Sequence, residues 1–187
     1  MTPGPNMAYL AVLSVSEGKK AGYSATAGIA LGLLAIGIIA ALGVATLISN
    51  SPIAYQILKY TGTIYLLWLA WDTWKPQEIM SAKELKNLLY HAKFFKRGLI
   101  TNLLNPKAAF FYIAILPKFI EVGTEATNQA IIMTFIYIMI ATSIHGIIVT
   151  LAGTARNFIE NEKQRLIIRK VMACALIIIA LWFLIKN

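Results

Sequence analysis

Tyr23 to Ile48 runs for 26 residues without a charged side chain. A helix needs about 20 apolar residues to cross the hydrocarbon core of a bilayer, and soluble domains rarely carry an uncharged run of that length. Ile53 to Trp74 and Ile131 to Leu151 are of spanning length as well. Val171 to Ile185 falls short unless it borrows Leu166 to Ile168. With 58% hydrophobic residues, 13% charged ones and a mean hydropathy of +0.69, the chain reads as an all-α integral membrane protein, since helices satisfy their own backbone groups in lipid. No basic start or small-residue cleavage site marks a secretory signal before the first apolar run. The single Cys174 excludes an internal disulfide framework and a redox pair.

The net charge of +9 would suggest a nucleic-acid partner in a soluble protein; here it reads as the loop bias of a membrane protein, with no nucleic acid expected. Lys19 and Lys20 follow the first apolar segment, Asn6 to Ser16. Lys75, Lys83, Lys86, Lys93, Lys96 and Arg97 follow the third, and Arg156, Lys163, Arg165, Arg169 and Lys170 follow the fifth. Thirteen of the 17 basic residues therefore sit in three alternate loops, while the turn at 49–52 has none. The positive-inside rule makes those three loops cytoplasmic. Trp68, Trp71 and Trp74 thicken the exit of the third segment, as suits an interface. Ser81 to Glu84 reads as a capping box opening a short amphipathic surface helix with Leu85, Leu88, Leu89, Ala92 and Phe95 on one side.

Two prolines interrupt apolar segments in matching ways. Pro3-Gly4-Pro5-Asn6 precedes the first segment, and Asn105-Pro106-Lys107 breaks the fourth, Gly98 to Ile120. Twelve residues separate Pro5 from the cytoplasmic boundary at Glu17, and twelve separate Pro106 from the opposite boundary at Lys118. At 1.5 Å per residue each distance is roughly 18 Å, which puts both motifs near the bilayer midplane, approached from opposite sides. Each is followed by two further apolar segments. The expected architecture is an inverted 3+3 helix repeat in one transporter domain: repeat one at 1–74, a cytoplasmic amphipathic linker at 75–97 and repeat two at 98–187. Only four residues precede Pro5, whereas nine run from Arg97 to Pro106. A matching first half-helix would need roughly ten to fifteen more apolar residues. The expectation is therefore a first helix represented by its second half, with the start of the chain missing; the alternative is a protein built with half a first helix.

The two breaks supply the candidate substrate-binding residues: Pro3, Gly4, Pro5 and Asn6 in the first, and Asn102, Asn105, Pro106 and Lys107 in the second. Asn6 and the N–H groups of Met7 and Ala8 are placed to hold a carboxylate at a helix N-terminus; the plainer reading is an N-cap. Lys107 near the midplane is expensive unless it works, by pairing with a carboxylate or changing protonation. Asn105 fits a mirror-related site or simple packing at the kink. Asn102 is expected to satisfy carbonyls freed by the break. Asp72 reads as an interfacial charge, and His145 as a histidine hydrogen-bonded between helices, although it could titrate near neutral pH.

Thr2-Pro3-Gly4-Pro5-Asn6, Glu17-Gly18-Lys19-Lys20-Ala21-Gly22 and Gly28-Ile29-Ala30-Leu31-Gly32 resemble the lysine exporter (LysE) family, in its threonine/homoserine efflux (RhtB-like) branch. Leu58 to Leu66 is similar to that family's third helix. Asn102-Leu103-Leu104-Asn105-Pro106-Lys107-Ala108 and Leu116-Pro117-Lys118-Phe119 are similar to its fourth. The resemblance covers residues 2 to about 120, and the remainder follows by hydropathy. It implies six helices and secondary-active, proton-coupled export of amino acids or close derivatives across the bacterial inner membrane. The partners it implies are the amino acid, protons and membrane lipid, with a homo-oligomer left open and no cofactor. Many members carry a polar residue about where Ile36 stands.

Other classes fit less well. A metal-cation exporter would want several carboxylates, histidines or cysteines facing the core, and the membrane segments offer His145, Cys174 and Asp72. An enzyme would need a nucleophile or metal motif, and neither Gly-x-Ser-x-Gly nor His-Glu-x-x-His occurs. A thiol-disulfide carrier needs two cysteines. A truncated, inactive family member is the remaining alternative.

Overall fold

The computed structural model describes residues 4–41, 52–74, 83–120, 126–156 and 162–186. Among them there is no strand. The helices are α1 (Pro5–Glu17), α2 (Lys19–Ala41), α3 (Pro52–Trp74), α4 (Lys83–Leu103), α5 (Pro106–Phe110), α6 (Ala126–Ala155) and α7 (Glu162–Lys186). The break before Pro5, the break at Asn105-Pro106 and the start of α3 fall where prolines demand them. The chain's last helix does borrow residues ahead of Val171, beginning at Glu162. Pro3, the turn residues 49–51 and the first half of the capping box, Ser81 and Ala82, lie outside the described residues.

α1 sits at the centre, packed on α2, α4, α6 and α7. Its Leu10 and Ser14 are fully buried. It is joined to α2 by Gly18 alone, whose φ of +93° is a conformation that glycine adopts at little cost. The Gly18 N–H bonds to the Ser14 carbonyl and closes the helix end.

The most extensive contact in the bundle is between α2 and α4, and glycines make it. A methyl on Gly28 would collide with the Phe95 carbonyl, and one on Gly98 with the Ala25 carbonyl. Two helices that lack a hydrophobic drive to associate in lipid gain from such close backbone approach. Gly28→Val is therefore expected to push the helices apart and destabilise the fold by about 1–3 kcal/mol, read as a lower unfolding midpoint in detergent; an unchanged midpoint would contradict this packing.

The outward faces are apolar. On α3, Ile53, Ile57, Tyr60, Ile64, Leu67 and Trp71 form an exposed stripe at helical spacing. On α6, Ile132, Phe135, Ile136, Met139, Ile147 and Leu151 are exposed as well. Lys19–Ala41 and Ala126–Ala155 each have the length and apolar character needed to cross a membrane. Surfaces of this kind suit lipid and not water.

Two departures from the sequence reading concern the second break. The helix at 83–103 is continuous through Arg97-Gly98, with no separate surface helix. Arg97 ties it to α3 through a 2.7 Å ion pair with Asp72, and its guanidinium lies 5.2 Å from the Trp68 ring centre. Asp72, read from sequence as an interfacial charge, is thus the partner in a helix–helix tie. After α5 the expected single helix becomes a π-helical turn, Phe111–Ile115, and then a 3-10 turn, Leu116–Phe119. Pro117 lacks the N–H that would bond back four residues to Ile113, so the ladder shifts register there.

Candidate functional site

The two proline breaks meet. Asn6, at the second position of α1, donates from Nδ2 to Asn102 Oδ1 on α4 over 2.7 Å, and both side chains are buried. Gly4, which caps α1, lies under the Lys107 side chain: a methyl on Gly4 would stand 3.1 Å from Lys107 Cδ. Pro5 and Pro106 line one small void together with Gly62 and Tyr65. Gly62 itself allows the approach, because a methyl there would strike the Leu104 carbonyl in the second break. Of the eight candidate residues, Pro3 is outside the described residues and the other seven come together.

Several roles differ from the sequence expectation. Asn6 is not an N-cap; Gly4 occupies that place, with extended backbone and no side-chain cap. The Ala8 N–H is not open to a ligand, since it bonds to the Gly4 carbonyl at 3.1 Å. Asn105 is the N-cap of α5, its Oδ1 accepting from the Lys107 N–H at 3.1 Å. Asn102 satisfies no freed carbonyl with its side chain: Oδ1 takes Asn6, and Nδ2 has no hydrogen-bonding partner among the described residues. Asn6 Oδ1 is likewise unpartnered among them. The chain compensates the break with backbone turns, Asn105 N–H to the Asn102 carbonyl and Leu104 N–H to the Ile100 carbonyl.

Beside this junction lies a cavity of about 350 Å³. Asn6, Asn105 and Lys107 reach it from the breaks, and Leu33, Phe111 and Ala141 give it apolar walls. It has room for one small solute, polar at one end and apolar around it. Phe111 is held by a stack on Tyr137 of α6, with ring centres 3.8 Å apart, so the π turn and α6 form one wall. His145 on α6 also lines the cavity. It was expected to bridge helices, yet its Nδ1 is buried with no hydrogen-bonding partner among the described residues. Sequence reasoning left it out of the site because α6 is apolar on every side, so hydrophobicity gives it no face.

A second cavity, also about 350 Å³, lies at the other end of α1, walled by Glu17, Lys19, Lys20, Tyr90 and Arg156. A methyl on Gly18 would strike the Arg156 guanidinium. Two segments far apart in the chain thus bring basic residues, Lys19 with Lys20 and Arg156, to one end of the bundle. No group of three or more potential metal-ligating side chains occurs among the described residues.

The family model of the LysE type translocator matches residues 1–187. The leucine efflux protein of Klebsiella pneumoniae is 30% identical over 172 residues, covering 88% of this chain and 78% of that protein. The leucine efflux protein of Enterobacter sp. strain 638 is 31% identical over 134 residues, covering 71% of this chain and 64% of that protein. No solved structure matches. The chain belongs to the LysE type translocator family; it is an integral membrane translocator and not an enzyme.

Proposed function

We propose that the protein exports amino acids from the cytoplasm, with the cavity beside the two breaks as the substrate site. The observation that carries this reading is the meeting of Asn6, Gly4 and Lys107 at the edge of a solute-sized cavity, with Asn6 held by its hydrogen bond to the buried Asn102. An amino acid brings a carboxylate, an ammonium and a side chain. The Lys107 ammonium suits the carboxylate. The Asn6 Oδ1 left over from its bond to Asn102 supplies an acceptor on the cavity wall. Walls such as Leu33, Phe111 and Ala141 suit an apolar side chain, in keeping with the leucine efflux proteins to which the chain is similar. A metal cation would find a lysine here and no carboxylate cluster.

Pro5 and Pro106 serve this site by breaking the helices, Gly4 by capping α1 and Asn105 by capping α5. The cytoplasmic side is assigned to the end carrying Lys19, Lys20 and Arg156, in the inner membrane of a bacterium. The inverted arrangement of 1–74 and 98–187 around the linker gives alternating access from either side of the junction, with export coupled to inward proton flow.

The test is efflux from cells loaded with single radiolabelled amino acids, with and without an uncoupler. Leucine or another apolar amino acid is expected to leave faster than from cells lacking the protein, and the uncoupler to abolish that difference. Efflux that survives collapse of the proton gradient would remove the coupling; no efflux of any amino acid would remove the export reading.

A further inference from the structure

We infer that His145 is a substrate-contacting residue, its Nδ1 accepting a hydrogen bond from the α-ammonium of the amino acid in the cavity. This rests on the reading of that cavity as the substrate site. His145 is 5% exposed, lies on the cavity wall formed by α6, and carries a buried Nδ1 with no hydrogen-bonding partner among the described residues. A buried acceptor left unsatisfied costs free energy, which a solute donor in the adjoining cavity would remove. The same cavity is lined by Lys107, whose ammonium suits the anionic end of a zwitterion and repels its cationic end. An ammonium donates up to three hydrogen bonds and needs acceptors away from Lys107. The Asn6 Oδ1 on the same cavity, unpartnered among the described residues, is one, and a neutral imidazole with its proton on Nε2 provides another at Nδ1. The two charged ends of the solute are thereby read by different side chains, Lys107 for the carboxylate and His145 with Asn6 for the ammonium, and a solute lacking either end is bound more weakly.

The test is binding of tritiated leucine to the purified protein, with isocaproate, which is leucine without its ammonium, as competitor. The wild-type protein is expected to bind isocaproate at least tenfold more weakly than leucine. His145→Leu should weaken leucine binding about 10- to 100-fold, the loss of one hydrogen bond to a charged group, and leave isocaproate unchanged. His145→Asn, which keeps an acceptor near the Nδ1 position, should retain most of the preference. Equal binding of leucine and isocaproate by the wild-type protein overturns the assignment without any variant, so a His145→Leu protein that fails to fold does not shield it. Wild-type leucine binding by a folded His145→Leu protein, with binding lost in Lys107→Ala, overturns His145 and leaves the cavity reading standing. If the wild-type protein binds no amino acid, the cavity reading fails and the His145 contact fails with it.

Discussion

Lys107→Ala is expected to abolish export, lowering the rate by about a hundredfold or more, while the protein still inserts and unfolds near its wild-type temperature. Lys107 follows Pro106 at the second position of α5, where the positive end of the helix disfavours a cation. Lysine in a membrane segment is costly in its own right. Its stem packs over Gly4. A carboxylate arriving at the cavity meets the Lys107 ammonium as an opposite charge, and that attraction is the expected source of affinity. Lys107→Arg keeps the charge with a different shape and should retain part of the activity. Efflux assays beside membrane quantification check both variants.

The second large effect is expected at Asn6, with a different signature. Asn6→Ala removes the 2.7 Å bond to Asn102 and leaves a fully buried amide with no partner at either end. That costs about 1–3 kcal/mol, so Asn6→Ala should lose export and also unfold at a lower temperature. Removing the partner as well relieves the orphaned amide. The Asn6→Ala/Asn102→Ala protein is therefore expected to recover much of the lost stability and none of the export. A double substitution that transports would show that the amide pair is a structural clasp, with no part in holding the solute. A single Asn6→Ala protein as stable as wild type would contradict the buried bond itself.

The meeting of the two breaks was legible because proline position and helical rise are arithmetic. Pro5 and Pro106 lie equally far from charged boundaries, and in the bundle the two line one void. The clustering of Lys19, Lys20 and Arg156 followed from loop charge in the same way. What depends on facing was not legible. α6 is strongly apolar with no marked polar face, so His145 could not be assigned from sequence to the cavity, where its Nδ1 has no hydrogen-bonding partner among the described residues. The Asp72–Arg97 pair joins residues 25 positions apart on different helices, beyond the reach of helical periodicity. Nor does the sequence announce where a helical ladder changes register: the π turn at Phe111–Ile115 depends on how Pro117 downstream is accommodated. The roles of the asparagines exchanged for a related reason. Gly4 caps α1 and Asn105 caps α5, and a sequence shows that a cap is needed without showing which neighbour's side chain reaches it.

Counterflow in proteoliposomes separates the substrate site from its energy source. Vesicles preloaded with unlabelled leucine and diluted into a trace of labelled leucine should transiently accumulate label when they carry the wild-type protein. Vesicles carrying Lys107→Ala at the same density should not. Counterflow by Lys107→Ala equal to that of wild type would contradict a substrate site at the junction of the two breaks.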